Sequence, residues 1–308
     1  MASKLNWTKS EVVYLDKVRM KKPIDRLIHW ITRREKARIN KEAGEPKPFC
    51  DDPIIQKFYF TNVNRENDRV TVWVRENLRT IKPSPKLFFA IAAFRWFNYI
   101  PTGEALIKVK STTDGKPFNL IERWNPKLVK STLNAIKSSG GQVFTGAFNI
   151  SAGGSTKPKI DRVVDDYIQP LYDDCIELSD RISDSRSLEK SHKMLMKYPG
   201  LGGSGFMAAQ IICDLKYTPL LEHATDWYTW ASPGPGSKKG LNILLERPID
   251  TQHKNFLVDL NRFRDDVNRQ TSIDELHAMD FQNCLCEMSK YENALWGTGH
   301  MKRRYQGV

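Results

Sequence analysis

The stretch Lys197-Tyr-Pro-Gly-Leu-Gly-Gly-Ser-Gly-Phe-Met-Ala-Ala-Gln-Ile-Ile-Cys-Asp-Leu215 decides the fold. An amphipathic helical run, Leu188 to Met196, leads into it. Pro199-Gly200 stops that run, because proline lacks an N–H and glycine accepts positive φ. Leu201 stands between Gly200 and Gly202, so one apolar side chain plugs a tight turn. Ser204 is placed to cap a second helix, Gly205 to Leu215. Helical spacing predicts Phe206, Ala209, Ile212 and Cys213 as its apolar face. The unit is therefore a helix, a glycine-rich hairpin and a helix over 188–215. The backbone N–H groups of Gly202, Gly203, Ser204 and Gly205 lie at a positive helix end, which suits a phosphate oxygen.

Two motifs follow downstream. Asp226 stands alone in Glu222-His-Ala-Thr-Asp-Trp-Tyr-Thr-Trp230. It either caps a helix starting at Trp227 or faces a ligand. Ser232-Pro-Gly-Pro-Gly-Ser-Lys-Lys-Gly-Leu241 is a second glycine-rich loop, carrying Ser237, Lys238 and Lys239. Trp227, Tyr228 and Trp230 are either stacking groups or core.

Upstream, Asp51-Asp52-Pro53 reads as a helix start with an acidic cap and proline in the first turn. The spacing predicts a helix running on through Ile54, Ile55, Phe58 and Val63. On such a helix Asn62, Arg65, Glu66 and Arg69 share one face at i, i+3, i+4 and i+7. They are either surface ion pairs of little worth or the polar lining of a pocket.

The 308 residues are 40% hydrophobic and 27% charged, with a net charge of +12. The length suffices for a full core, and the charge favours a polyanionic partner, nucleic acid first. No apolar run approaches the roughly 18 residues of a membrane span, and the N-terminus has no signal-peptide core. The five scattered cysteines, Cys50, Cys175, Cys213, Cys284 and Cys286, fit a reducing cytoplasm. No metal, no cofactor, no membrane and no obligate protein partner is expected.

Residues 1–48 form a basic N-terminal helical extension, with a helix predicted from Pro23 to Glu42 and Ile24, Leu27, Ile28 and Ile31 as its stripe. Arg33, Arg34, Lys36, Arg38 and Lys41 are either a solvated face or a DNA contact. Leu87 to Asn98 reads as a buried helix in which Arg95 wants a partner. Val143 to Ile150, with Gly146 and then Gly153-Gly154, is either a plain loop or one passing an active-site mouth, and Lys157, Lys159 and Arg162 follow it. A helix over 160–183 buries Val163, Val164, Tyr167 and Ile168, with Pro170 bending it. Phe256 to Asp266 and Ser272 to Lys290 are helical, with His277 structural. The basic Gly299-His-Met-Lys-Arg-Arg-Tyr305 is a tail that touches DNA on one reading.

Tyr198-Pro-Gly-Leu-Gly202 followed by the lone Asp226 resembles the helix-hairpin-helix (HhH-GPD) superfamily of DNA glycosylases. Phe60-Thr-Asn-Val-Asn-Arg-Glu-Asn-Asp-Arg69 resembles the signature of the alpha-glutamyl/putrescinyl thymine pyrophosphorylase-like families. Phe88 to Asn98, Trp230 to Leu241 and Leu285 to Glu292 extend that resemblance over about residues 50–305. It implies a mostly α, two-lobed glycosylase-like domain over 49–308, with the hairpin at 188–215 and a catalytic loop at 216–241.

The resemblance implies that Asp226 faces the sugar of a flipped-out nucleotide, where a carboxylate stabilises oxocarbenium-like charge. Gly200, Gly202, Gly203, Ser204, Gly205, Ser237, Lys238 and Lys239 would clamp phosphates, and Asn62, Arg65, Glu66 and Arg69 would read the base. Bifunctional members carry a lysine just after the hairpin; Ser204 and Gly205 stand there, which implies hydrolysis without a Schiff base. The expectation is a monofunctional glycosylase excising a hypermodified pyrimidine, such as glucosylated 5-hydroxymethylcytosine, and leaving an abasic site in antiphage defence. The alternative is a transferase replacing pyrophosphate on 5-hydroxymethyluracil in DNA with an amine. A binding module without chemistry is the third.

Overall fold

Seven prolines, Pro23, Pro53, Pro85, Pro101, Pro126, Pro170 and Pro235, stand in the first turn of a helix. There the missing N–H costs nothing, because the first turn's donors have no helical acceptor. The computed structural model describes residues 6–109, 120, 123–150 and 154–298. Gly153 and the basic tail from 299 lie outside the described residues.

Among the described residues the long elements are all helical and there is no strand. In chain order they are α1 (Lys9–Arg19), α2 (Pro23–Glu42), α3 (Pro53–Lys57), a 3-10 turn (Arg65–Asn67), α4 (Arg69–Asn77), α5 (Ser84–Phe97), α6 (Ile100–Ile107) and α7 (Pro126–Ser138). There follow α8 (Lys159–Asp161), a π-helical turn (Arg162–Ile168), α9 (Gln169–Asp173), α10 (Cys175–Ser185), α11 (Leu188–Leu195), α12 (Phe206–Leu215), α13 (Pro235–Leu244), α14 (Phe256–Gln270) and α15 (Ala278–Trp296). No helix among the described residues is long and apolar enough to cross a membrane.

The chain divides into two compact units, one made of Met1–Asp68 and Tyr228–Val308, the other of Arg69–Trp227. In the first, α15 is the central helix, packed by α2, α3, α13 and α14. Arg26 of α2 grips Glu292 of α15 through two bonds of 2.6 and 3.2 Å. Asp52 is fully buried. It caps α3 by accepting from the N–H groups of Ile54 and Ile55, and it also accepts from the Tyr291 hydroxyl at 2.6 Å. Gly240 of α13 lies against the α15 backbone at Leu285, where a β-carbon would come within 2.7 Å of the carbonyl carbon.

In the second unit α5 is the buried axis, every residue from Leu87 to Phe97 being enclosed. It is packed by α6, α9, α10, α12 and the π-helical turn. Arg95 finds its partner in Asp214 of α12, with bonds of 2.5 and 2.9 Å, and Arg79 adds a third at 2.9 Å. Arg95 also donates to Asn98 at 2.7 Å.

Three local expectations give way. The predicted helix from Pro53 through Val63 stops at Lys57. Asn64 then accepts from the Glu66 N–H and Asp68 from the Asn62 N–H, local bonds that compete with the helical ladder. The face of α12 is also rotated from its predicted position. Met207, Ala208, Ile211, Asp214 and Leu215 are buried together with the expected Ile212, while Ala209 and Cys213 are only half-buried and Phe206 is 45% exposed. The ion pair at Asp214 fixes that rotation. Residues 272–277 are not helical, and α15 begins at Ala278 with His277 as its cap.

Candidate nucleic-acid interface

The hairpin of the second unit is built by two close backbone approaches and one buried side chain. Gly200, at φ +75°, lies on the stacked rings of Trp96 and Tyr167, and an added β-carbon would sit 2.6 Å from Trp96. Leu201 is fully buried beneath the turn. Gly205, at φ +67°, caps α12, and its carbonyl accepts from His192 Nε2 at 2.9 Å. Burial, partly offset by that bond, holds the His192 pKa below its ordinary value. The neutral ring keeps its proton on Nε2, because a carbonyl can only accept.

At the tip, Gly203 and Ser204 are exposed, and their N–H groups have no acceptor among the described residues. The Gly205 N–H donates to the Gly202 carbonyl at 3.3 Å, so it is not offered to a ligand. Lys193 pairs with Glu189, while Lys197 is exposed beside the tip.

Asp226 lies in the same unit, beneath the start of α11. Its Oδ1 accepts from the Leu188 N–H at 2.7 Å; its Oδ2 accepts from the Glu189 N–H at 3.0 Å and from the Ser187 hydroxyl at 2.9 Å. Both oxygens are thus engaged at a helix N-terminus, where a carboxylate is electrostatically welcome. The cap serves α11, not a helix at Trp227. Asp226→Ala is expected to lower stability by about 1–3 kcal/mol, because it strands two N–H groups. A urea melt showing an unchanged midpoint would contradict this.

Trp227 is fastened by its Nε1 donating to the Lys216 carbonyl at 2.7 Å, with the Lys216 ammonium 4.0 Å over its ring. In the first unit Trp230 is buried, and Tyr228 is half exposed with its ring edge against His277.

The other predicted residues of the first unit are mostly committed to its own packing. Asn62 accepts from Arg34 and donates to the Asn67 carbonyl at 2.7 Å. The Arg65 N–H donates to Asp280 of α15 at 3.0 Å. Glu66 follows in the 3-10 turn, and Arg69 opens α4 in the second unit. These four therefore do not share one helix face. The residues 60–68 instead dock on α15 through Asp280, Asn283 and Glu287.

Ser237 is fully buried. Its hydroxyl closes the first turn of α13 on Gly234 and accepts from Gln282 at 3.0 Å. Lys239 is exposed, 3.9 Å from Asp250, and Lys238 is half-buried. Part of the basic cluster on α2 is similarly spent: Arg33 pairs with Asp51, and Arg38 with Glu35 and Glu42. Among the described residues no group of three or more His, Cys, Asp and Glu side chains is placed to hold a metal ion.

Comparison with known proteins places this architecture. A family model described as "5-hmdU DNA kinase, helical domain" matches residues 21–299. A 5-hmdU DNA kinase of Bacillus phage SP10 is 27% identical over 278 residues, which cover 81% of this chain and 41% of that protein. The chain thus spans about two fifths of the length of the curated relative it matches. No solved structure matches.

These matches overturn the expectation of a base-excising glycosylase, and with it the hydrolase chemistry, the abasic product and the antiphage role. Nothing in them supports the HhH-GPD superfamily or the pyrophosphorylase-like families. The relative's name stands closer to the transferase alternative, since it too concerns 5-hydroxymethyluracil in DNA. Its chemistry differs, because a kinase adds phosphate where the alternative had an amine displace pyrophosphate.

Proposed function

This chain belongs to the family of the 5-hmdU DNA kinase helical domain, and from that premise we propose that it is the DNA-engaging part of a system that phosphorylates 5-hydroxymethyl-2′-deoxyuridine in DNA. The observation that carries the reading is the family match over residues 21–299. The net charge of +12 supports it, since phosphate neutralisation supplies most of the affinity of non-specific DNA binding.

The chemistry assigns the domain a task. In-line phosphoryl transfer brings a nucleotide triphosphate and its metal ions up to the attacking hydroxyl. The 5-substituent of a pyrimidine lies in the major groove, which is only about 12 Å wide. A domain that grips the backbone and opens the helix locally lets that hydroxyl meet the donor. Full extrusion of the nucleotide is not required for this, because the hydroxymethyl oxygen already lies on a groove edge. What the reading requires is access for bulk.

The test is binding of the full chain to matched duplexes carrying one 5-hydroxymethyluracil, thymine or 5-hydroxymethylcytosine. We expect at least about tenfold tighter binding to the first than to the thymine duplex, equivalent to about 1.4 kcal/mol, the scale of one good hydrogen bond to the added hydroxyl. Equal affinity for the thymine duplex at every salt concentration overturns the reading. Mass spectrometry of the same DNA after incubation with ATP reads any phosphate added.

A further inference from the structure

We infer that the second unit carries a binding surface for an unpaired DNA strand, in which Phe206 and Phe148 hold a base and Lys159 with Arg162 hold a neighbouring phosphate. The inference rests on the DNA-engaging role proposed above and locates it on residues that role did not use.

Three observations meet here. The first is an aromatic pair of one exposed ring, Phe206, and one half-buried ring, Phe148. Phe206 opens α12 beside the exposed Gly203 and Ser204, and it is 45% exposed. Its ring packs edge-to-face against Phe148 at 5.0 Å. A phenylalanine left nearly half in water forgoes about half of the roughly 1.5–3 kcal/mol that full burial is worth. A base stacking on it recovers that area.

The second is a pair of cations without an acid. Arg162 is 8% exposed, and its Nε is buried without a hydrogen-bond partner. Among the described residues its Nη1 donates to the Lys157 carbonyl at 3.2 Å. The Lys159 ammonium lies 4.3 Å over the Phe144 ring. Among the described residues neither Lys159 nor Arg162 has a carboxylate within ion-pair distance. The nearby acids are taken: Asp161 and Asp165 by Lys130, and Asp166 by Lys157. Desolvation, and after it repulsion from Arg162, lower the Lys159 pKa from its ordinary value. Two like charges held together this way are stabilised by an anion between them. Arg162 also begins the π-helical turn, an irregularity frequent at functional sites.

The third observation joins the first two. Phe144 and Phe148 belong to one loop, fastened by the Thr145 N–H to the Phe97 carbonyl at 2.8 Å and by the Thr102 hydroxyl to the Val143 carbonyl at 2.7 Å. Four residues of chain span at most about 14 Å. The cationic and aromatic ends are therefore a few nucleotides apart at most. Base stacking tolerates any sequence, and a phosphate grip needs none, so the surface fits an opened strand.

The test is fluorescence anisotropy with a labelled oligothymidine single strand and with the 5-hydroxymethyluracil duplex, using the full chain. Phe206→Ala should weaken single-strand binding about tenfold, the lower part of the range for one stacked base. Lys159→Gln should reduce the slope of log K against log salt by about 0.7, one phosphate on a single strand. Both side chains are exposed, so the variants should melt like the wild type. Lys254→Gln, a matched charge loss in the first unit, should change neither quantity. If Phe206→Ala and Lys159→Gln bind both DNAs like wild type, the surface is overturned while the DNA-engaging role stands. If Lys254→Gln lowers the slope as much as Lys159→Gln, the contact is diffuse charge and the surface is again overturned. If wild type prefers no duplex but Phe206→Ala still weakens single-strand binding, the surface stands and the base preference falls.

Discussion

Arg95→Met should remove about 3–5 kcal/mol of the protein's stability, a large share of the whole. Asp214 is fully buried and takes three bonds, two from Arg95 and one from Arg79. Removing Arg95 leaves a buried carboxylate with one of its three bonds, and breaking a buried pair in this way costs about 3–5 kcal/mol. Whole domains are stable by only about 5–15 kcal/mol. A urea melt should show the midpoint falling by a third or more, with the far-ultraviolet helical signal lost early. A loss below about 1 kcal/mol would mean that Arg79 alone satisfies the carboxylate.

The same centre sets an acid limit. Burial pushes the Asp214 pKa up, but Arg95 and then Arg79 outweigh it, so the carboxyl is held below its ordinary value. Its contribution is therefore fully present above the unfolded value near pH 4 and is lost as pH falls through the folded value. Acid unfolding below about pH 4 should be shallower for Asp214→Asn, at the cost of lower stability at pH 7.

Gly240→Ala is the second large effect. Helix propensity alone would make the change favourable by about 1 kcal/mol. The neighbourhood reverses the sign. A β-carbon at this position meets the Leu285 carbonyl carbon at 2.7 Å and its α-carbon at 3.0 Å. Both are backbone atoms of α15, so no rotamer change relieves the clash, and α13 has to move away from the first unit's central helix. We expect a net loss of about 3 kcal/mol, at the upper end for overpacking. Gly203→Ala is the contrast. Its φ of +67° disfavours a side chain, yet nothing lies within 4 Å. It should cost only about 1–2 kcal/mol. Thermal melts of the two variants should rank in that order.

Features set by nearest neighbours in the chain were legible in the sequence. The Pro199-Gly200 stop, the plug at Leu201, the cap at Asp52 and the buried run of α5 from Leu87 to Phe97 all appear as read. Features set by distant partners were not. The buried face of α12 depends on Asp214 meeting Arg95, 119 positions earlier. Helical spacing alone placed Phe206 on that face and so hid its exposure. Asp226 was conspicuous as a lone acid, but its task is to cap a helix that begins 38 residues before it. The polar run from Asn62 to Arg69 looked like one helix face because periodicity does not register Asn64 and Asp68 bonding their own backbone. Function was the least legible, since a glycine-rich hairpin in a basic chain announces a phosphate without saying what is done to the base.

The division of the chain has a consequence for its synthesis. The second unit is one uninterrupted segment, Arg69–Trp227, whereas the first is assembled from Met1–Asp68 and Tyr228–Val308. On the ribosome, the inner segment has all its own residues some eighty codons before the outer one does, and domains fold as they become complete. The early strip from α1 to α3 must wait, its apolar faces held without α15, while 159 residues emerge and settle ahead of it. Chaperone demand during translation should therefore fall on the N-terminal helices.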